Sequence, residues 1–204
     1  MARFSKDRQQ QVFDTTLCLL SEKGYQKLTM LDIAQACQMS KETLYRWFGS
    51  KAGLFNKMIT QDVDVFKANL NRLFNQPNIP PYEVIRIFAL QYYDINTGDN
   101  CICVNAAAIS EAKTNPELAQ ILLDCGRNIA FPLLVAYIEN QQKNNIFNNQ
   151  RSAENLGETL LGLGGKDIQI RLLLEDNKLD LSKIDKEQVA KEAADDFMKL
   201  FATI

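Results

Sequence analysis

Residues 29–48 read TMLDIAQACQMSKETLYRWF, and this stretch decides the fold. Its apolar residues recur at helical spacing in two short segments, which residues 38–40 separate. That connection is too tight for an ordinary antiparallel pair of helices. Ala34 lets the two helices cross closely, Met39 fills the turn, and Leu44 anchors the second helix on the first. The stretch therefore predicts a helix-turn-helix.

The second helix of this unit turns a polar face outward. Side chains on this face can reach base edges and phosphates in a DNA major groove. They are Lys41, Glu42, Thr43, Tyr45 and Arg46. Glu42 leaves two interpretations open, because it can accept from cytosine N4 or pair with Arg46 four residues on. We expect Trp47 to lie half in the core and half on the DNA backbone.

Two flanking residues extend this candidate DNA site. Thr29 caps the first helix of the pair, and this capping role is sufficient to explain a threonine at the position. A contact with a DNA phosphate is the alternative. Lys51 begins the following long helix, where amides and an ammonium group together attract phosphate.

The same window resembles a known family. Thr29-Met-Leu-Asp-Ile-Ala, then Ser40-Lys-Glu-Thr-Leu-Tyr-Arg-Trp-Phe-Gly-Ser-Lys-Ala-Gly-Leu54, resembles the N-terminal domain of TetR/AcrR transcriptional regulators over about residues 10–55. Two positions depart from the family pattern. Gln38 replaces a glycine at the turn, where a positive φ would cost about 1 kcal/mol, and Ala52-Gly53 replaces an acidic position.

Residues 105–174 are similar to the C-terminal domains of AefR-like members. The resemblance implies a phosphate contact by Tyr45, an apolar effector pocket in the central helices, and a homodimer formed by the last helices. Pocket candidates, each of which could equally be ordinary core, are Phe66, Phe88, Tyr92 and Phe131, with Asn105 or Glu111 as a polar group. Dimer candidates, on helices that small residues allow to approach closely, are Leu161, Gly164, Ile168, Val189 and Phe197.

Charge is unevenly distributed along the 204 residues. The net charge is −2, yet residues 1–60 carry nine basic and five acidic groups, and the remainder is acidic. A basic N-terminal part on an acidic body suits a polyanionic partner. The polar N-terminus, MARFSKDRQQQ, and the lack of an apolar run near about 18 residues predict a cytoplasmic protein without a membrane segment.

Histidine is absent, which removes the usual nucleophile–base pairs and imidazole metal sites. We therefore expect no enzyme, no cofactor and no metal. The five cysteines indicate reduced thiols. Cys101 and Cys103 are close in sequence and leave a thiol-sensing role open.

The whole pattern predicts an all-α protein. Residues 1–50 would form a three-helix DNA-binding domain, and residues 51–204 a helical bundle for effector binding and dimerisation. The predicted function is a repressor that leaves a near-palindromic double-stranded DNA operator when a small apolar effector binds. The alternatives are an activator, a thiol-responsive regulator using Cys101 and Cys103, and a helical ligand carrier.

Overall fold

The computed structural model describes residues 5–175 and 178–203, and of residues 126 and 166 it describes the backbone alone. Residues 1–4, 176, 177 and 204 of the two predicted domains lie outside that description. Within it the chain is helical and has no β-strand, which confirms the predicted all-α class. The α-helices are α1 (Lys6–Lys27), α2 (Met30–Ala36), α3 (Lys41–Phe48), α4 (Lys51–Phe74), α5 (Pro81–Thr97), α6 (Asp99–Glu111), α7 (Glu117–Leu122), α8 (Asn128–Lys143), α9 (Ala153–Leu163), α10 (Lys166–Leu173) and α11 (Lys186–Phe201).

Local sequence explains most helix starts. Ser5, Thr29, Ser40 and Ser152 each accept a hydrogen bond from a backbone amide in the first turn of the helix that follows. Pro81 occupies the first position of α5, where its missing N–H costs nothing. Short π-helical (Leu123–Arg127) and 3₁₀ (Leu181–Lys183) segments complete the described elements.

One helix expected from the sequence is divided in the structure. The apolar pattern over 153–174 predicts a single helix, but α9 ends at Leu163 and α10 begins at Lys166. Gly165 has φ +95°, a left-handed conformation that breaks the helix and that glycine adopts without a Cβ penalty. A Cβ at Gly165 would also lie 3.0 Å from the ring of Tyr93.

The chain packs as two compact units. Unit 1 comprises Met1–Val63 and Cys103–Arg127, and unit 2 comprises Asp64–Ile102 and Asn128–Ile204. This division by packing differs from the predicted boundary at residue 50, because α4 up to Val63 packs in unit 1 and residues from Cys103 to the end of α7 return to it. The functional boundary at residue 50 stays a prediction.

Each unit has its own aromatic packing. In unit 1 the rings of Phe13 and Phe48 lie 6.0 Å apart, and Tyr25 meets Phe55 edge-on at 5.0 Å. In unit 2 the buried cluster draws on α4, α5, α8, α9 and α11 and includes Phe88 and Phe197. These cores hold α2–α3 in unit 1 and the central helices in unit 2.

One described stretch, Glu117–Lys143, is long and apolar enough to cross a membrane by length and composition. The sequence predicts no apolar run near about 18 residues, and it predicts a kink or a break at Gly126 and Pro132. The structure instead continues through both as a π-helical turn and α8. A single helix of this kind is weak support for a membrane span, since core helices pass the same test.

Candidate nucleic-acid interface

The turn between α2 and α3 is closed by backbone hydrogen bonds. The amide of Gln38 donates to the carbonyl of Gln35 at 3.0 Å, and the amide of Met39 donates to Ala34 at 2.9 Å. Gln38 has φ +52°, so the position does require the left-handed conformation that the sequence analysis considered. The chain therefore accepts a local strain of about 1 kcal/mol to place α3 across α2.

A reciprocal cap fixes the start of α2. Thr29 Oγ1 accepts from the amide of Asp32 at 3.1 Å, and Asp32 Oδ2 accepts from the amide of Thr29 at 2.9 Å. Lys23 on α1 donates to Asp32 Oδ1 at 2.7 Å. Together the hydrogen bonds from Lys23 and Thr29 lower the pKa of Asp32 to about 2. Capping thus accounts for Thr29, and its phosphate contact stays a prediction.

Helix α3 divides cleanly into a buried and an exposed face. Leu44 and Phe48 are buried, and the five polar candidates occupy the outer side, where Thr43 is half-buried and the others are exposed. Trp47 is half-buried and meets Phe48 edge-on at 6.5 Å, as expected for a residue partly in the core. A polar, convex helix face of this kind fits a DNA major groove.

Two side chains on this face are locally ordered. Lys41 Nζ lies 5.6 Å from the centroid of the Tyr45 ring, and Tyr45 is 41% exposed. The pKa of Glu42 is lowered by its own backbone amide and by the Ser40 hydroxyl. Among the described residues no ion pair joins Glu42 to Arg46, so the pairing alternative is not realised here.

Lys51 has a structural role that the sequence did not indicate. Its Nζ donates to the backbone carbonyls of Tyr25 at 2.5 Å and Leu28 at 3.1 Å, and lies 4.0 Å from the Tyr25 ring centroid. Burial lowers the pKa of this ammonium group. Lys51 therefore ties α4 to the end of α1, and its contact with a phosphate stays a prediction.

Sequence reasoning missed two further residues of the site. Arg8 Nη2 on α1 donates to the carbonyl of Cys37 at 2.6 Å and so supports the turn between α2 and α3. Gly53 is required because a Cβ there would lie 2.1 Å from the carbonyl oxygen of Phe48. Gly53 lies where the sequence departs from the family pattern, and that departure could have indicated the close approach. Nothing in the sequence around Arg8 indicated its contact with Cys37.

Four predicted effector residues, Phe66, Phe88, Tyr92 and Phe131, lie in unit 2. Phe88 is buried, and its ring stacks 5.9 Å from that of Tyr92. A Cβ on Gly157 would lie 3.1 Å from the ring of Phe131. The hollow of about 360 Å³ found in unit 2 involves other, polar residues: Glu139, Gln142, Lys143 and Asn149. The effector pocket stays a prediction.

The two polar pocket candidates lie on α6 in unit 1. Glu111 Oε1 accepts at 2.9 Å from the amide of Gln26, just after the kink of α1 at Gly24, while its buried Oε2 has no hydrogen-bond partner. Asn105 is half-buried on the same helix. Glu111 therefore serves the packing of unit 1.

The structure corrects two predicted dimer residues. Phe197 is fully buried within the single chain, with its ring 5.4 Å from Phe147. Gly164 is also buried, and a Cβ there would lie 3.1 Å from the Tyr92 ring. Both face the core of unit 2, so neither lies on a surface that a partner could contact. Leu161, Ile168 and Val189 are half-buried, and their place in an interface stays a prediction.

The structure limits what Cys101 and Cys103 can do together, while their thiol-sensing role stays a prediction. Cys101 and Cys103 are two residues apart on α6, and side chains at that spacing point to different sides of a helix. They therefore cannot close a disulfide with each other while α6 is intact. All five cysteines lie in the described chain, and none is in a disulfide.

Comparison with known proteins agrees with this geometry. Residues 12–58 match the model of bacterial regulatory proteins of the tetR family. A crystal structure of a TetR transcriptional regulator from Agrobacterium tumefaciens superposes with a TM-score of 0.71 at 29% identity, over 98% of this chain and 96% of that one. The chain therefore contains a tetR-family N-terminal domain and has the fold of a TetR regulator. Its family and fold are those of DNA-binding transcription regulators.

Curated relatives match over a shorter region. The nucleoid occlusion factor SlmA of Haemophilus ducreyi is 37% identical over 67 residues, which is 32% of this chain and 33% of that protein. The transcriptional repressor KstR of Rhodococcus jostii is 30% identical over 86 residues, 42% of this chain and 39% of that protein. The chain thus spans about a third of the length of SlmA and 39% of that of KstR, and the AefR-like subtype stays a prediction.

Proposed function

We propose that the chain is a transcriptional repressor that binds a near-palindromic DNA operator as a homodimer in the cytoplasm. A small apolar effector releases it. In this role the chain acts by binding DNA and effector, without catalysis and without a cofactor. One observation carries it: α3 buries Leu44 and Phe48 and leaves Lys41, Tyr45 and Arg46 exposed on a single face.

Each part of the site has a separate task in this proposal. Arg46, Lys41, Glu42 and Thr43 read base edges, with Tyr45 and Lys51 on phosphates. The strained turn at Gln38 and the cap of Asp32 hold α3 at the angle that a groove requires. Two copies of α3 in a dimer read half-sites about 34 Å apart.

Binding to the DNA upstream of the chain's own gene tests the proposal, with fluorescence anisotropy at two salt concentrations. We expect Tyr45→Phe to weaken binding to all sequences alike. Arg46→Ala should reduce the preference for operator over random DNA by about 1–3 kcal/mol, or roughly 5–150-fold. Lys67→Ala, an exposed lysine of unit 2, is the matched control and leaves both affinities unchanged. Equal affinity for operator and random DNA would contradict operator recognition.

Lys51 needs two variants, because it both clamps α1 and is proposed to touch a phosphate. Lys51→Gln keeps a donor for the carbonyls of Tyr25 and Leu28 but removes the charge. We expect it to weaken DNA binding and to lower the melting temperature less than Lys51→Ala does. Loss of stability in both variants without loss of DNA affinity would leave Lys51 a structural residue only.

Effector release is tested by competition. A panel of fatty acids, alkanols and aromatic hydrocarbons is titrated against the DNA complex. An active compound should weaken DNA binding by about 1–3 kcal/mol, and DNA must weaken binding of that compound by the same factor. A compound that releases DNA without this reciprocity acts at the DNA surface and contradicts the effector model.

A further inference from the structure

In unit 1 the side chain of one cysteine contacts the backbone next to another cysteine that is distant in sequence. Cys18 lies on α1, and Cys103 lies on α6. The Cys103 Sγ donates to the backbone carbonyl oxygen of Leu17 at 3.6 Å. That carbonyl belongs to the peptide bond that leads into Cys18, so the Cys103 sulfur lies one peptide unit from the Cys18 backbone.

The electrostatics of the two thiols agree with this placement. Burial raises the pKa of Cys103, and a negative charge on Cys18 raises it further. This Coulomb effect agrees with the contact between the Cys103 sulfur and the Leu17 carbonyl, and that contact is the observation that carries the placement.

Accessibility gives the two thiols different roles. Cys18 is exposed, so a dissolved oxidant reaches it, while Cys103 is half-buried beside it. Cys37 and Cys125 are buried, and Cys101 points to another side of α6. Cys18 and Cys103 are thus the pair that combines an accessible sulfur with a neighbouring second thiol.

We propose that Cys18 and Cys103 form a redox-active thiol pair, which a peroxide converts into an intramolecular disulfide joining α1 to α6. The Cys18 thiolate attacks one peroxide oxygen, and the O–O bond breaks to give a Cys18 sulfenic acid and, after protonation, water. The Cys103 thiolate then attacks the Cys18 sulfur, so that an S–S bond forms and the S–O bond breaks. The departing hydroxide takes up a proton and leaves as a second water. The peroxide gains the two electrons that the thiols lose.

The disulfide sets a geometric requirement on α1 and α6. Bridged cysteines hold their Cα atoms about 4.4–6.8 Å apart, and the Cys103 side chain already touches the backbone of α1. Because the pKa of Cys103 is raised, little of this thiol is ionised at neutral pH. Formation of the disulfide should therefore accelerate as pH rises through the alkaline range.

Peptide mapping tests the pair directly. The reduced full-length protein is treated with hydrogen peroxide, the remaining thiols are alkylated, and the digest is analysed by mass spectrometry without reductant. We expect one cross-linked peptide, joining Cys18 to Cys103, in a monomeric chain that has lost two hydrogens and regains them with dithiothreitol.

The controls are matched on the same helices. Cys18→Ser and Cys103→Ser should each abolish the cross-link, while Cys101→Ser, two residues along α6, should leave its yield unchanged. A cross-link through Cys101, Cys37 or Cys125 overturns the proposal. So does over-oxidation of Cys18 while Cys103 remains open to alkylation, since the wild-type map then shows no pairing.

Discussion

The hydroxyl of Tyr25 donates a 2.5 Å hydrogen bond to Glu117 Oε2, which joins the end of α1 to the start of α7. On another side the Tyr25 carbonyl accepts from Lys51 of α4, and the next amide, Gln26, donates to Glu111 of α6. The end of α1 is therefore held by three helices of unit 1. Because α1 also supports the turn between α2 and α3 through Arg8, these contacts position the candidate DNA site.

Removing the Tyr25 hydroxyl should destabilise unit 1. Tyr25→Phe keeps the ring packing on Phe55 but loses the hydrogen bond to Glu117. We expect a loss of about 1 kcal/mol in the free energy of unfolding and a fall of roughly 2–4 °C in Tm. Thermal unfolding monitored by circular dichroism measures both. Tyr45→Phe is the control and should leave Tm unchanged, because its hydroxyl is on the exposed face. Equal Tm values for the two variants would remove Tyr25 from this role.

Relieving the strained turn should stabilise the protein. Gln38 has φ +52°, which glycine adopts without a Cβ penalty. We expect Gln38→Gly to raise the free energy of unfolding by about 0.5–1 kcal/mol in urea titrations. Gln35→Gly, three residues earlier on an exposed position of α2, should lower it by about 1 kcal/mol instead. If both changes destabilise equally, the turn does not hold Gln38 under strain in solution.

Asp32 should titrate well below an ordinary carboxyl. Its pKa is lowered to about 2 by the hydrogen bonds from Lys23 and Thr29. A lowered pKa in the folded state means that the ionised form contributes stability above the ordinary value of 3.8, and that this contribution is lost as pH falls through about 2. We expect Lys23→Gln to raise the Asp32 pKa in a carboxyl NMR titration, whereas Lys27→Gln leaves it in place. An unchanged pKa in Lys23→Gln would contradict the pairing.

The proposed dimer should depend on exposed apolar residues rather than on buried ones. Ile170 is 46% and Leu174 75% exposed, one turn apart at the end of α10. Ile170→Glu combined with Leu174→Glu should give monomers with an unchanged circular dichroism spectrum in analytical ultracentrifugation. Val65→Glu, at a residue 61% exposed on α4, is the control and should stay dimeric. A double variant that remains dimeric would place the interface elsewhere.

Oxidation should alter DNA binding if both proposals hold. A disulfide between Cys18 and Cys103 ties α1 to α6, and α1 supports α3 through Arg8 and through the contact of Phe13 with Phe48. We expect the oxidised protein to bind operator DNA at least about fivefold more weakly, and dithiothreitol to restore the affinity. Cys103→Ser should be insensitive to peroxide in the same gel-shift assay. If the cross-linked protein binds operator DNA with undiminished affinity, the disulfide does not regulate DNA binding.

Short-range patterns were sufficient for the DNA-binding helices. The bounds of α3, the caps at Thr29 and Ser40, the buried Leu44 and the exposed Tyr45 all follow from spacing within about twenty residues. Such features are predictable because caps and helical periodicity join residues three or four positions apart. The conformation at Gln38 also followed from one position of the motif.

Contacts between distant residues decided the rest, because spacing along one helix does not say which side faces a neighbour. The clamp from Lys51 to the carbonyl of Tyr25 spans 26 positions, and the bond from Tyr25 to Glu117 spans 92. For the same reason Phe197 and Gly164 were placed at a surface when they face the core. The Cys103 side chain contacts the backbone of α1, 86 positions earlier, because helix packing brings residues far apart in sequence together. Cys101 lies two residues away on α6, but side chains at that spacing point to different sides of a helix.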